Sequence, residues 1–175
     1  MKLKSIVILT ALTLHSPLSV SGEVSRETIE KIVSFVQENE LSKSTDEMVR
    51  HIVQVVAEET KGRKFPTLAD TLAVIQVESN FNPKAYYKGN YGLMQLNKKV
   101  HSLQSSSAKD VRFNIKKGVD YLEELHVDHR INSRLKLFNS YNVGPTASKR
   151  GEKNDDYVLK VMRARSSFKQ IIDEG

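Results

Sequence analysis

The chain has no cysteine, so no disulfide framework or thiol nucleophile is available and the fold must hold by packing alone. It also lacks any apolar run long enough for a secure membrane span: the longest, Ile6 to Leu14, is far short of a bilayer crossing. There is no Gly-rich phosphate loop, no nucleophilic serine elbow, no internal repeat and no low-complexity tract. Nor does any dense patch of basic residues stand clear of acids, which argues against nucleic acid as a partner despite a formal net charge of +6.

What is present begins with an export signature. Lys2 and Lys4 precede the short apolar segment, and Ser19 and Ser21 are small residues spaced for cleavage near Gly22. Residues 1–22 are therefore expected to be a signal peptide and residues 23–175 a single domain, with an uncleaved anchor as the other reading. About 150 residues suffice for one hydrophobic core. The expected location is the periplasm or cell envelope, with no stable membrane span once the signal is removed and the protein a monomer. Two of the lysines leave with the signal, so the mature chain is only moderately basic. A basic exported protein is drawn toward the anionic polymers of the envelope by its long-range field.

The period is helical nearly throughout, which predicts a compact all-α domain of six helices with no convincing strand. The first runs from Thr28 to about Gln37, after Ser25 as a cap, with Ile29, Ile32, Val33 and Val36 on one side. Ser44 with Glu47 reads as a capping box for the second, which ends at Gly62. Thr67 with Asp70 repeats the pattern and opens an almost wholly apolar helix, Leu68 to Val77. Phe81 to Gly92 shows no period and is expected to be an aromatic-rich loop, with a short helical turn from Leu93, Met94 and Leu96 besides the six. Asp110 caps a long amphipathic helix; Asn132 to Asn142 and Tyr157 to Ile171 are the last two. Thr146 to Asp155 reads as a polar surface loop.

Glu78 stands out, because it follows the apolar helix just where Asn80 and Pro83 must end it. An acid there is either a solvated helix end or a catalytic group. The carboxyl end of a helix dipole and apolar neighbours both disfavour its charge, which is the condition for a general acid near neutrality. Tyr86, Tyr87 and Tyr91 offer flat faces for sugar rings, and Asn82, Asn90, Gln95, Asn139 and Asn142 offer amides for hydroxyl and acetamido groups. Two-acid glycosidases need a second carboxylate. Glu58-Glu59, Glu123-Glu124 and Asp155-Asp156 all sit in ordinary surface contexts, so a single-acid mechanism is the more economical expectation. His126 and His129 with Asp128 lack a third ligand at recognised spacing, so neither a metal nor a cofactor is expected.

An ordered set of segments carries a resemblance: Glu78-Ser79-Asn80-Phe81-Asn82-Pro83-Lys84-Ala85, Gly92-Leu93-Met94-Gln95-Leu96, Asn114-Ile115 with Gly118 and Tyr121-Leu122, Tyr141-Asn142-Val143-Gly144, and Tyr157 with Val161. Together they resemble the family-1 lytic transglycosylases, the goose-type-lysozyme-like domain of soluble transglycosylases and their phage, conjugation and secretion-system relatives. The resemblance implies a lysozyme-like helical fold with an active-site cleft. It also implies cleavage of the bond between N-acetylmuramic acid and N-acetylglucosamine in peptidoglycan glycan strands, without water, leaving a 1,6-anhydro end. By that resemblance Glu78 is acid and then base, and Tyr141 orients its carboxylate. Ser79 supports the acid or the substrate's acetamido group, Met94 and Gln95 line the cleft, Asn142 holds the turn or a sugar, and Tyr157 closes the site; Tyr91 is expected to bind substrate through the flat face of its ring. It suggests service to an envelope-spanning secretion or conjugation machine. Departures fall at Tyr87 and Tyr91, at Asn97-Lys98-Lys99 where the family has a proline, and at Ser140 where alanine is common. A muramidase on the same fold, or a wall-binding assembly protein without turnover, are the competing functions.

Overall fold

The computed structural model describes residues 24–104 and 107–174. The expected signal peptide, residues 1–22, lies outside the described residues. Helices dominate: α1 (Arg26–Glu38), α2 (Asp46–Thr60), α3 (Leu68–Ser79), α4 (Val111–Val127), α5 (Arg134–Val143), α6 (Pro145–Lys149) and α7 (Asp155–Asp173). The mostly helical domain is consistent with the lysozyme-like expectation.

Capping residues set several of these starts. Ser25, Thr67 and Asp110 each accept a backbone N–H of the first turn, and Thr67 with Asp70 forms the full reciprocal box. At α2 the cap is Thr45, one residue later than expected, and Ser44 instead donates its hydroxyl to the Phe81 carbonyl at 2.9 Å. Local sequence offered two adjacent hydroxyls, and a contact from 37 positions away decided between them.

α3 is the central element. Leu72, Ala73, Val74 and Ile75 are all fully buried, so the helix is enclosed on every side, packing most extensively against α7 and also against α2. The Leu72, Val74 and Ile75 side chains each contribute about 1.5–3 kcal/mol of transfer free energy when fully withdrawn from water. The helix stops abruptly. Asn80 and Phe81 both adopt left-handed backbone, at φ 48° and 57°, and the second turns a fully buried ring into the core against Phe168. A left-handed non-glycine residue costs about 1–2 kcal/mol, so strain is stored two and three residues beyond Glu78.

The segment expected to be loop and short helix is a three-stranded antiparallel sheet: β1 (Tyr86–Tyr87), β2 (Asn90–Tyr91) and β3 (Leu96–Asn97), in that order. Tyr91 pairs with Tyr86 on one side and Leu96 on the other. Strands of two residues have no room to show a period. The β1–β2 turn, Lys88-Gly89, has positive φ at both positions, the type I′ geometry that suits a two-residue hairpin. The expected polar loop after Gly144 also differs, since Pro145 opens the one-turn helix α6. α7 begins at Asp155, capped by Asn154.

Candidate active site

Glu78 is the penultimate residue of α3, half-buried, and its Oε1 accepts the hydroxyl proton of Tyr157 at 2.7 Å. Burial pushes the Glu78 carboxyl up to about 7, and the Tyr157 hydrogen bond opposes that rise. Among the described residues, no second acid figures among the influences on this group. Tyr157 is itself buried, and burial followed by the Glu78 charge holds its phenol well above the ordinary tyrosine range, so it acts as a fixed donor.

The orienting contact expected of Tyr141 is thus made by Tyr157. Tyr141 reaches the same locality from α5, and its phenol is likewise pushed up, by burial and then by the Glu78 charge. Its hydroxyl, however, donates to the Met94 carbonyl at 2.7 Å. The two tyrosines divide the work, one holding the carboxyl and the other the neighbouring wall.

That wall is the β2–β3 turn, Gly92 to Gln95. Asn114, 1% exposed in α4, accepts the Met94 N–H at 2.8 Å and donates to the Tyr91 carbonyl at 2.9 Å and the Ala108 carbonyl at 2.8 Å. Met94 is therefore held at its N–H by α4 and at its C=O by α5. Its side chain is fully buried in the space left by Gly118, where a Cβ would overlap the Met94 thioether. Gly92 is required twice over: its φ is +73°, and a Cβ would run into the Asn114 amide and the Ala108 carbonyl. Gln95, at φ 44°, donates its amide to the Gly92 carbonyl at 2.9 Å and is half-buried.

The remaining expected residues divide. Tyr91 is half-buried and stacks on Tyr86, centroids 4.8 Å apart, while Tyr86 and Tyr87 are 59% and 62% exposed. Ser79 donates to the Ile75 carbonyl at 3.0 Å, a helix-internal bond. Asn142 is exposed, and its carbonyl oxygen accepts the side-chain amide of Asn154, which caps α7. Asn139 accepts the Asn154 N–H at 2.9 Å. These two asparagines hold the start of the helix that delivers Tyr157.

Three residues without an expected role belong to this neighbourhood. Asn114 is one; an amide on the apolar face of an amphipathic helix, four residues before Gly118, was the signal available for it. Tyr121 lies 5.5 Å from Tyr141 between ring centroids, and His101 stands edge-on to Tyr121 at 4.7 Å, extending the aromatic row. Burial lowers the His101 pKa, so its ring is neutral at ordinary pH. A groove of about 1120 Å³ lined by Leu135, Lys136, Val158 and Leu159 does not include Glu78.

Comparison with known families supplies the frame for this geometry. Residues 57–162 match the family described as Transglycosylase SLT domain. The chain belongs to that family. The matched span holds Glu78, the Met94 turn, Asn114, Tyr141 and Tyr157, so every group of the cluster lies within it. Membership carries a lytic-transglycosylase-type, glycan-cleaving activity. Neither the curated proteins nor the solved structures give a match to this SLT chain.

Proposed function

We propose that this SLT-family protein is a peptidoglycan lytic transglycosylase that uses Glu78 for both proton transfers. The observation that carries the proposal is a half-buried carboxyl raised to about 7 and held by one tyrosine hydroxyl. Near neutrality such a group is divided between acid and carboxylate, so it can serve in turn as donor and acceptor.

In the first step protonated Glu78 gives its proton to the glycosidic oxygen, and the bond from that oxygen to the anomeric carbon of N-acetylmuramic acid breaks. The oxygen leaves as a hydroxyl of N-acetylglucosamine. The substrate's own acetamido group meets the positive charge at the anomeric carbon, which is the duty a second carboxylate has in two-acid enzymes. In the second step the Glu78 carboxylate takes the proton of the muramic 6-hydroxyl as that oxygen bonds to the anomeric carbon. The acid is regenerated and the product ends in a 1,6-anhydro ring. Tyr157 holds Oε1 throughout, leaving Oε2 for the substrate. Tyr141 and Asn114 fix the Met94 turn, with Gln95 and Tyr91 facing the glycan, Asn142 steadying the α7 cap and Ser79 the helix end.

The basic and apolar start of the sequence supports export to the cell envelope, where the protein acts as a monomer on glycan strands. Local opening of the wall for an envelope-spanning secretion or conjugation machine is the process we assign to it. Mass spectrometry of digested sacculi tests the chemistry. Anhydro-muropeptides are the expected product, and reducing ends alone would reject the lyase in favour of a muramidase. Digestion by Glu78→Gln at the parental rate would overturn the assignment of the acid.

A further inference from the structure

Two polar contacts tie α3 to α7, one near each end of α3. Glu78 takes the Tyr157 hydroxyl at 2.7 Å, and Asp70 takes the Arg165 guanidinium at 2.6 Å. The partners are eight residues apart on each helix and in opposite order, so the helices run antiparallel and both contacts belong to one register. Eight helical residues span about 12 Å. Between the two contacts the fully buried side chains of both helices are mostly apolar, Leu72, Ala73, Val74 and Ile75 on α3 and Val161 on α7, with Gln76 of α3 beside Lys160 and Ala164 of α7. Apolar burial is non-directional and by itself resists a small slide poorly.

Asp70 is built to resist one. It is 0% exposed and fully engaged: Oδ1 accepts Nε of Arg165 and Nε of Arg134, and Oδ2 accepts the backbone N–H and hydroxyl of Thr67 and, at 3.3 Å, Nη2 of Arg134. Burial favours its neutral form, but the hydrogen bonds from Arg134, Thr67 and Arg165 together outweigh that and keep it ionised. A buried charge with this many directed partners is satisfied in one geometry and costly in others.

We propose that Arg165, acting through Asp70, is a positioning residue that holds α7 in the register at which the Tyr157 hydroxyl meets Glu78. The proposal rests on the reading of Glu78 as the proton-transfer group. Glu78 is faced by Tyr157 from α7 and by Tyr141 from α5, with Tyr121 of α4 behind Tyr141. Asp70 is faced by Thr67, by Arg134 of α5 and by Arg165 of α7.

The test follows the Glu78 side chain by carbon NMR across pH in the full mature protein, alongside turnover of purified sacculi. Arg165→Met leaves Asp70 paired to Arg134 but removes the polar anchor of α7. Its expected effect is a Glu78 titration moved to higher pH, in the direction of Tyr157→Phe, with kcat lowered about tenfold to a hundredfold as a displacement of the reacting group produces. The double variant is expected to titrate where Tyr157→Phe does, because the bond is already absent. Arg134→Met keeps the α7 anchor and is expected to leave the titration in place. An Arg165→Met protein that is less stable yet titrates like the parent overturns the proposal. So do shifts that add in the double variant, since those would come from the lost charge alone. Should Arg165→Met not fold, Arg165→Leu, which likewise offers Asp70 no donor, is held to the same criteria. Undiminished activity of Glu78→Gln would remove the acid assignment, whereas an unmoved titration removes only the role of Arg165.

Discussion

Tyr157 and Glu78 are 79 positions apart in the chain, yet the hydroxyl of one lies 2.7 Å from the carboxyl of the other. The bond favours the carboxylate while burial favours the acid, and burial prevails, leaving the group near 7. The proposed mechanism uses both forms in one turnover, so opposed influences of this kind suit it.

Replacing the tyrosine shifts that balance in a known direction. Tyr157→Phe removes a bond to the charged form, so the Glu78 pKa rises and the alkaline limb of kcat/KM moves to higher pH. At the parental optimum kcat is expected to fall about tenfold or more, because the carboxylate that must accept the second proton is less favoured and less well held. A pH–rate profile of purified sacculi digestion checks both parts.

Glu78→Gln separates catalysis from stability. Activity is expected to drop by about 10² to 10⁴, the range for loss of a general acid–base group. Stability moves the other way. The folded pKa lies above the unfolded value, so the native state binds the extra proton between about 4.5 and 7 and loses stability as pH rises through that window. An amide has no such dependence. Urea unfolding is expected to show the variant more stable than the parent by on the order of 2 kcal/mol at pH 8, with the gain absent at pH 4.

Asn114→Ala would strip three hydrogen bonds at 2.8, 2.9 and 2.8 Å from a site 1% exposed. The Met94 N–H and the Tyr91 and Ala108 carbonyls lose their partner together. A destabilisation of about 2–4 kcal/mol is expected from urea unfolding, with activity reduced further because the turn carrying Gln95 is released.

Gly118→Ala tests the packing beneath the same turn. Its methyl would overlap the Met94 thioether, and overpacking of this kind costs about 1–3 kcal/mol. A lowered thermal midpoint is expected, and Met94→Ala on the same background is expected to relieve part of the clash while opening a cavity of its own.

Much of this was legible from local sequence, and the rest was not for identifiable reasons. Glu78 was visible because a charged residue closes an apolar helix, and the Thr67–Asp70 and Asp110 caps because capping is settled within one turn. The division of labour between Tyr141 and Tyr157 depends on how α5 and α7 lie against α3, which no local pattern encodes. The strands at 86–97 are too short for a period and are held by a side chain from α4, so a loop was the natural expectation. The second role of Asp70 is hidden because its capping duty already accounts for an acid at that position; burial against Arg134 and Arg165 emerges only in the folded chain.

The grip on Met94 has a consequence for how such an enzyme can diversify. Asn114 and Tyr141 hold that residue by main-chain atoms, so the path of the wall is guaranteed from outside it. The hairpin side chains Tyr91, Tyr86 and Tyr87 are released from the duty of holding that residue in place. On the proposed reading they form an exchangeable facing on a fixed frame, through which substrate preference can change while the carboxyl and its tyrosine stay as they are.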